Sequence, residues 1–199
     1  MIKIKKYYTL YLIILTNITI YFLMSISSNS FILINNHTLI DWGALIYQSN
    51  KLDDLWRIIT YQFLHTDISH LIINMFILYI VGISLLQYIN KILFVFIYLT
   101  TGLTASICCI FFSTHLISVG ASGSILGVFG FYYILLNKIQ NNGGKHEGID
   151  KKLLIINLFI CVLLIFGYLI DSTNNALHIG GLVSGIIIGL ITNKTLDNS

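Results

Sequence analysis

A serine stands between glycines at Gly120-Ala121-Ser122-Gly123, where a polar stretch runs into a long apolar one. A serine on the first turn of a helix lies beside unpaired backbone N–H groups and the positive end of the helix dipole. That setting suits a nucleophile whose product carries a negative oxygen. Flanking glycines let another stretch of chain come close, or take a backbone conformation closed to other residues. Taken alone, the four residues fit close packing of membrane helices better than catalysis. Histidine is the other residue type that could do chemistry here. His178 opens an apolar run that continues through Gly180, Gly181, Ser184, Gly185 and Gly189, and His70 and Asn74 open another. Four residues apart, His70 and Asn74 share one helix face. Each has a plainer explanation, His178 as a buried ring satisfied by backbone, His70 and Asn74 as a polar clamp between helices. His65 and His70 do not suggest a metal site. Five residues is about 140° around a helix, and no acid or cysteine completes a ligand set. No metal or cofactor is expected.

Elements able to position these groups follow from composition. The 199 residues are 56% apolar and only 10% charged, against about 25% charged in a soluble domain. The fold expected is an all-α polytopic membrane protein, one domain over residues 1–199. Apolar runs at 7–26, 69–87, 92–112, 119–137, 153–170 and 176–192 are each about long enough to cross a bilayer. The first follows a short basic start, as in a signal peptide, but it is long for one and shows no small-x-small cleavage site. The longest polar region, 27–68, is too apolar for a disordered linker and should fold against the membrane surface, where Trp42 and Trp56 favour the interface. There is no proline to kink a helix. Cys108, Cys109 and Cys161 sit inside apolar runs and read as packing residues. His37, His115 and His146 fall in loops and read as solvated. The scattered basic residues make no nucleic-acid surface.

Six spans put both termini on one side. With that side inside, Lys3, Lys5, Lys6, Lys91, Lys138, Lys145, Lys151, Lys152 and Lys194 are inner and only Lys51 and Arg57 outer, a split of nine to two. By the positive-inside rule the termini are cytoplasmic. Spans two, four and six then all enter from the outside, with His70, Asn74, Ser122 and His178 each near its entry point. At about 1.5 Å per residue these groups differ in depth by no more than ~6–8 Å. Polar side chains at such depth are costly and usually functional. Gly181, Gly185 and Gly189 recur every four residues, as do Gly123 and Gly127, and two smooth faces would let spans four and six approach closely. That approach is what Ser122 and His178 need to share a hydrogen bond.

With those residues assembled, the chain resembles the rhomboid intramembrane serine proteases over nearly its whole length. The resemblance rests on Trp56-Arg57 in the first outer loop and on His65-x4-His70-x3-Asn74 entering span two. It rests equally on Gly120-Ala121-Ser122-Gly123 at span four and His178-x2-Gly181-x3-Gly185 on span six. Each motif is weak alone, and the four in this order are specific. The resemblance implies a six-helix bundle with a long folded outer loop, and a Ser122–His178 dyad that cleaves transmembrane segments of other proteins. It implies oxyanion donors at His70, Asn74 and the Ser122 N–H, with Gly120 lining the site. Trp56, Arg57, His65, Gly123, Gly127, Gly181 and Gly185 would be structural. The protein would sit in the plasma membrane with its site open to the extracytoplasmic side. Partners are transmembrane substrates and the lipid bilayer. The sequence does not give an oligomeric state.

The family needs no third acid, and no Asp or Glu lies within any span; Asp171 precedes span six with no role assigned. Three departures stand out. Leu126 replaces an aromatic that packs on the catalytic histidine in many relatives. Leu86 and Gln87 stand where a glutamate is common, and the proline that often follows the Trp-Arg region is absent, with Tyr61 nearby. Two other functions remain open: a catalytically silent relative that binds membrane clients, and a small transporter. The Gly, Ile and Leu of the inner half of span six offer no polar path for the second.

Overall fold

The structure is a computed structural model, and it describes residues 2–46, 54–113, 116–141, 155 and 175–196. Helix α1 (Ile2–Ser28) is followed by a short α2 (Asn36–Asp41), strand β1 (Leu45–Ile46), a single turn α3 (Arg57–Thr60) and a 3-10 turn (Tyr61–Phe63). Then come α4 (Ile68–Leu85), α5 (Lys91–Phe112), strand β2 (Ile117–Ser118), α6 (Ser122–Asn141) and α7 (Asn175–Leu196). Five helices among the described residues are long and apolar enough to cross a membrane: Lys6–Ser28, Ile68–Leu85, Lys91–Phe112, Ser122–Asn141 and Asn175–Thr192. This is a multi-pass helical membrane architecture. The expected span 153–170 lies outside the described residues but for Ile155, as do Lys51, His115, His146, Cys161 and Asp171.

Polar residues set the helix ends. α1 stops where Asn29 takes a positive φ of 52°, the left-handed conformation that commonly closes a helix. Asn35, Asp67 and Asn90 cap α2, α4 and α5, their side chains accepting from Thr38, His70 and Leu93 backbone N–H at 2.8, 2.8 and 2.9 Å. α6 begins at Ser122 rather than 119 and runs on to Asn141, because Ile117–Ser118 pairs with β1 and Gly120 turns the chain at φ 124°. No residue with a Cβ adopts that φ without strain.

α6 is the centre of the bundle. Of its span 67% is buried, against 33–44% for the other four. Its neighbours are α7, α5 and α4, while α1 packs on α4. The core is aliphatic and aromatic, with Leu10, Tyr21, Leu78, Leu85, Phe94, Tyr98 and Phe131 fully buried. The opposite faces of α1 and α4 expose Leu12, Leu15, Phe22, Ile26, Ile72, Ile73 and Phe76. A surface of that kind belongs in lipid.

Between α1 and α4 the described chain is folded by polar contacts. Arg57 is the hub: its Nε donates to Asp54 at 2.7 Å, its Nη1 to the carbonyl of Ala44 at 3.2 Å, and its guanidinium lies 4.7 Å from the Trp56 ring centre. Gly43, at φ 103°, receives the Trp56 ring where a Cβ would stand, and Thr60 donates to its carbonyl at 2.8 Å. His37 lies on α2 rather than in a loop, exposed and paired with Asp41 at 2.8 Å.

Candidate active site

Ser122 is the first residue of α6, so its backbone N–H and those of the next two residues have no acceptor within the helix. Both its sequence neighbours, Ala121 and Gly123, are buried, but Ser122 itself is partly exposed. Its Oγ lies 2.8 Å from Nε2 of His178, the fourth residue of α7. With the hydroxyl donating, Nε2 is the acceptor and a neutral ring carries its hydrogen on Nδ1. Nδ1 is buried and finds no hydrogen-bond partner among the described residues. Leu126 is fully buried one turn further along α6.

The contact depends on how closely α6 and α7 approach. A Cβ on Gly181 would strike the carbonyl of Gly123, and one on Gly185 the carbonyl of Gly127. Backbone therefore lies against backbone over two turns, and the seam continues where a Cβ on Gly130 would lie 2.5 Å from the Leu182 carbonyl. The two expected glycine faces do not simply oppose each other. Gly127 points its missing side chain at Thr101 of α5, and Gly123 points at Leu177 and at Ala105 of α5. Gly123 and Gly127 thus take α7 against their carbonyls and α5 against their α-carbons, while Gly130 turns its α-carbon to α7.

On the other side of the nucleophile loop stands α4. A Cβ on Gly120 would lie 2.9 and 3.0 Å from His70 Cε1 and Nε2, and 3.7 Å from Asn74 Nδ2. His70 and Asn74 therefore border the loop that delivers Ser122. The Asn74 amide nitrogen is buried with no acceptor among the described residues. It is an unspent donor beside Gly120, in the loop that leads to the serine. His65 sits in the loop ahead of α4, not on its helix, so the angular argument from five-residue spacing fails. Its buried ring meets His70 edge to face at 5.0 Å between centres. Burial, and after it the neighbouring His70, hold the His65 imidazole well below its ordinary value.

The segment just after Arg57 clasps the nucleophile loop. The Gly120 N–H donates to the Tyr61 carbonyl at 3.0 Å, and the Tyr61 hydroxyl donates to the Gly102 carbonyl on α5 at 2.7 Å. Gln62, 1% exposed, accepts from the Ser124 hydroxyl at 2.8 Å. Strand β1 holds Ser118 and Ile117 from the same side. Trp56-Arg57 lies in this layer and, among the described residues, makes no hydrogen bond or ring contact with the four polar groups. Gln62 and Ser124 are residues that sequence reasoning passed over. A polar pair inside otherwise apolar surroundings is the available signal.

The Rhomboid domain family model matches residues 52–195 of the chain. The chain is 36% identical over 152 residues to "RHOMBOID-like protein 6, mitochondrial" of Arabidopsis thaliana, covering 76% of this chain and 47% of that protein. It is 33% identical over 175 residues to "Rhomboid protease GluP" of Bacillus subtilis (strain 168), covering 88% of this chain and 33% of that one. With "Rhomboid protease AarA" of Providencia stuartii the identity is 29% over 197 residues, 89% and 70% of the two chains. The chain spans a third to a half of the length of the first two.

Proposed function

The chain belongs to the rhomboid family, and from that premise we propose that it is an intramembrane serine endopeptidase working through a Ser122–His178 dyad. The observation that carries this is the 2.8 Å contact between Ser122 Oγ and His178 Nε2. Ser122 Oγ attacks the carbonyl carbon of a substrate peptide bond while its proton passes to His178 Nε2. The C–N bond then breaks, and the leaving amine takes that proton. Water enters, gives its proton to the same nitrogen and releases the acid, restoring the serine. The tetrahedral intermediate carries its negative charge on the former carbonyl oxygen. The Ser122 N–H, the Asn74 amide and His70 donate to it, and Gly120 leaves room for the substrate backbone. No step needs a metal or cofactor.

The substrate is a transmembrane segment of another membrane protein, reached sideways through lipid. Residues 1–199 form a single membrane unit of six spans in the plasma membrane, with both termini cytoplasmic and the dyad near the outer surface. The nine-to-two split of basic residues supports that orientation.

Labelling with a fluorophosphonate probe tests the reading. The full chain in detergent should react, and Ser122→Ala and His178→Ala should not. Folded wild-type protein that neither labels nor cleaves a membrane substrate would move the assignment to a silent client-binding relative.

A further inference from the structure

Behind the His70 ring runs a chain of hydrogen bonds that the dyad does not use. Thr66 Oγ1 lies 2.9 Å from Asp67 Oδ2 and 3.2 Å from His70 Nδ1. The other carboxylate oxygen, Oδ1, accepts from the His70 backbone N–H at 2.8 Å and from the Ser69 hydroxyl. Desolvation pushes the Asp67 carboxyl upward, but the hydrogen bonds from Ser69, the His70 amide and Thr66 carry it below its ordinary value. Asp67 is therefore a carboxylate, and a carboxylate only accepts.

Thr66 has one hydroxyl hydrogen, and the carboxylate takes it. Its oxygen is left with lone pairs, so its contact with Nδ1 is a hydrogen bond only when Nδ1 carries the hydrogen. A neutral His70 then has none on Nε2, and Nε2 is the atom that borders Gly120.

We propose that Asp67, acting through Thr66, is a positioning pair that holds His70 in its Nδ1–H form. The ring edge facing the Ser122 loop is then an acceptor when neutral and a donor only as the imidazolium. The proposal rests on His70 being an oxyanion donor. It divides the donors into two kinds: the Ser122 N–H and Asn74 always donate, and His70 donates when charged. A charged donor is about twice as strong as a neutral one. The titratable groups around His70 among the described residues are Asp67, His65 edge to face with it, and His178 across the site. As His70 loses its charge the site keeps its two constant donors and loses the third, so the rate falls on the alkaline side to a lower level rather than to zero.

Asp67→Asn reverses the chain without removing the cap. The amide oxygen still accepts from the His70 N–H, but the amide nitrogen now faces Thr66 and donates to it. The Thr66 hydroxyl is freed to donate to Nδ1, and the neutral ring carries its hydrogen on Nε2. Thr66→Val cuts the chain, and Thr66→Ser keeps it.

The test is ¹⁵N NMR of the histidine-labelled full chain in bicelles, with His70 resonances identified by their loss in His70→Gln. Neutral His70 should show Nδ1–H in wild type and Thr66→Ser, Nε2–H in Asp67→Asn, and no fixed preference in Thr66→Val. Nε2–H in the wild type, or a tautomer indifferent to both Asp67→Asn and Thr66→Val, would overturn the proposal. If Asp67→Asn does not fold, the Thr66→Val and Thr66→Ser pair decides. The readout needs no proteolysis, so it stands or falls separately from the protease reading. With a cleavable substrate, the wild-type rate should fall to a lower plateau on the alkaline side, and Asp67→Asn should abolish that fall.

Discussion

Two imidazoles border the Ser122 loop from opposite sides, and they are held by different means. His178 rides on α7, which is placed by bare backbone: glycine α-carbons of α7 lie on the carbonyls of Gly123 and Gly127. Its outer nitrogen has no partner among the described residues. His70 rides on α4, and its outer nitrogen is backed by Thr66 and Asp67. One ring is located by shape and free at its far end, the other tied by polar atoms. The first site should fail when volume is added to a seam, the second when a polar atom is removed.

The largest effects should come from the dyad itself. Ser122→Ala and His178→Ala should each lower cleavage by about 10⁴-fold or more with helix content unchanged. Next comes the seam. Gly181→Val places a side chain into the Gly123 carbonyl and should shift α7 enough to cost about 10²-fold in rate, with ~1–3 kcal/mol of stability lost to overpacking. Gly189→Ala meets the Ile134 side chain first, its Cβ at 2.9 Å, rather than backbone, and should cost far less activity than Gly181→Val. Equal losses at the two positions would mean that α7 is not placed by the upper seam. In the polar clasp, Gln62→Leu leaves the buried Ser124 hydroxyl without its acceptor and should cost about 1–3 kcal/mol, read as a lower melting temperature. An unchanged melting temperature would show that the pair holds nothing.

The smallest effect concerns His65. Its folded-state value is depressed below the ordinary 6.5 by burial. Above that value both folded and unfolded chains leave the ring neutral, so nothing changes. Below it the unfolded chain binds a proton that the native ring resists, and stability falls by up to ~1.4 kcal/mol per pH unit. His65→Gln should flatten the acid-side loss in melts between about pH 6.5 and pH 5 by that one-proton slope. An unchanged slope would place the acid sensitivity elsewhere.

Much of this arrangement is legible in the chain. Ser122, His178, His70 and Asn74 could be placed at one depth by counting residues from the start of each apolar run. The glycine spacing on α7 announced a close helix contact. What could not be read depends on conformation rather than period. Residues 119–121 look as apolar as the helix they precede, yet strand pairing of Ser118 with Leu45 and the positive φ of Gly120 delay the helix to Ser122. Gly127 has the α7-facing spacing, but only its carbonyl meets α7 and its α-carbon faces α5, because a residue on a central helix has neighbours on every side. Asp67 carries a visible signal, an acid three residues before the His70 amide that it caps. The turn that folds Thr66 back between Asp67 and His70 has no sequence signature. Gln62 and Ser124 are far apart in sequence and meet only through packing.

The most direct measurement is to reconstitute the full chain in vesicles with a model transmembrane substrate and map the products by mass spectrometry. One cut in the substrate's membrane segment by the wild type, absent in both Ser122→Ala and His178→Ala, is the expected result. Cleavage that survives in folded Ser122→Ala, or no cleavage by a folded and fluorophosphonate-reactive wild type across several such segments, would contradict an intramembrane Ser122–His178 protease.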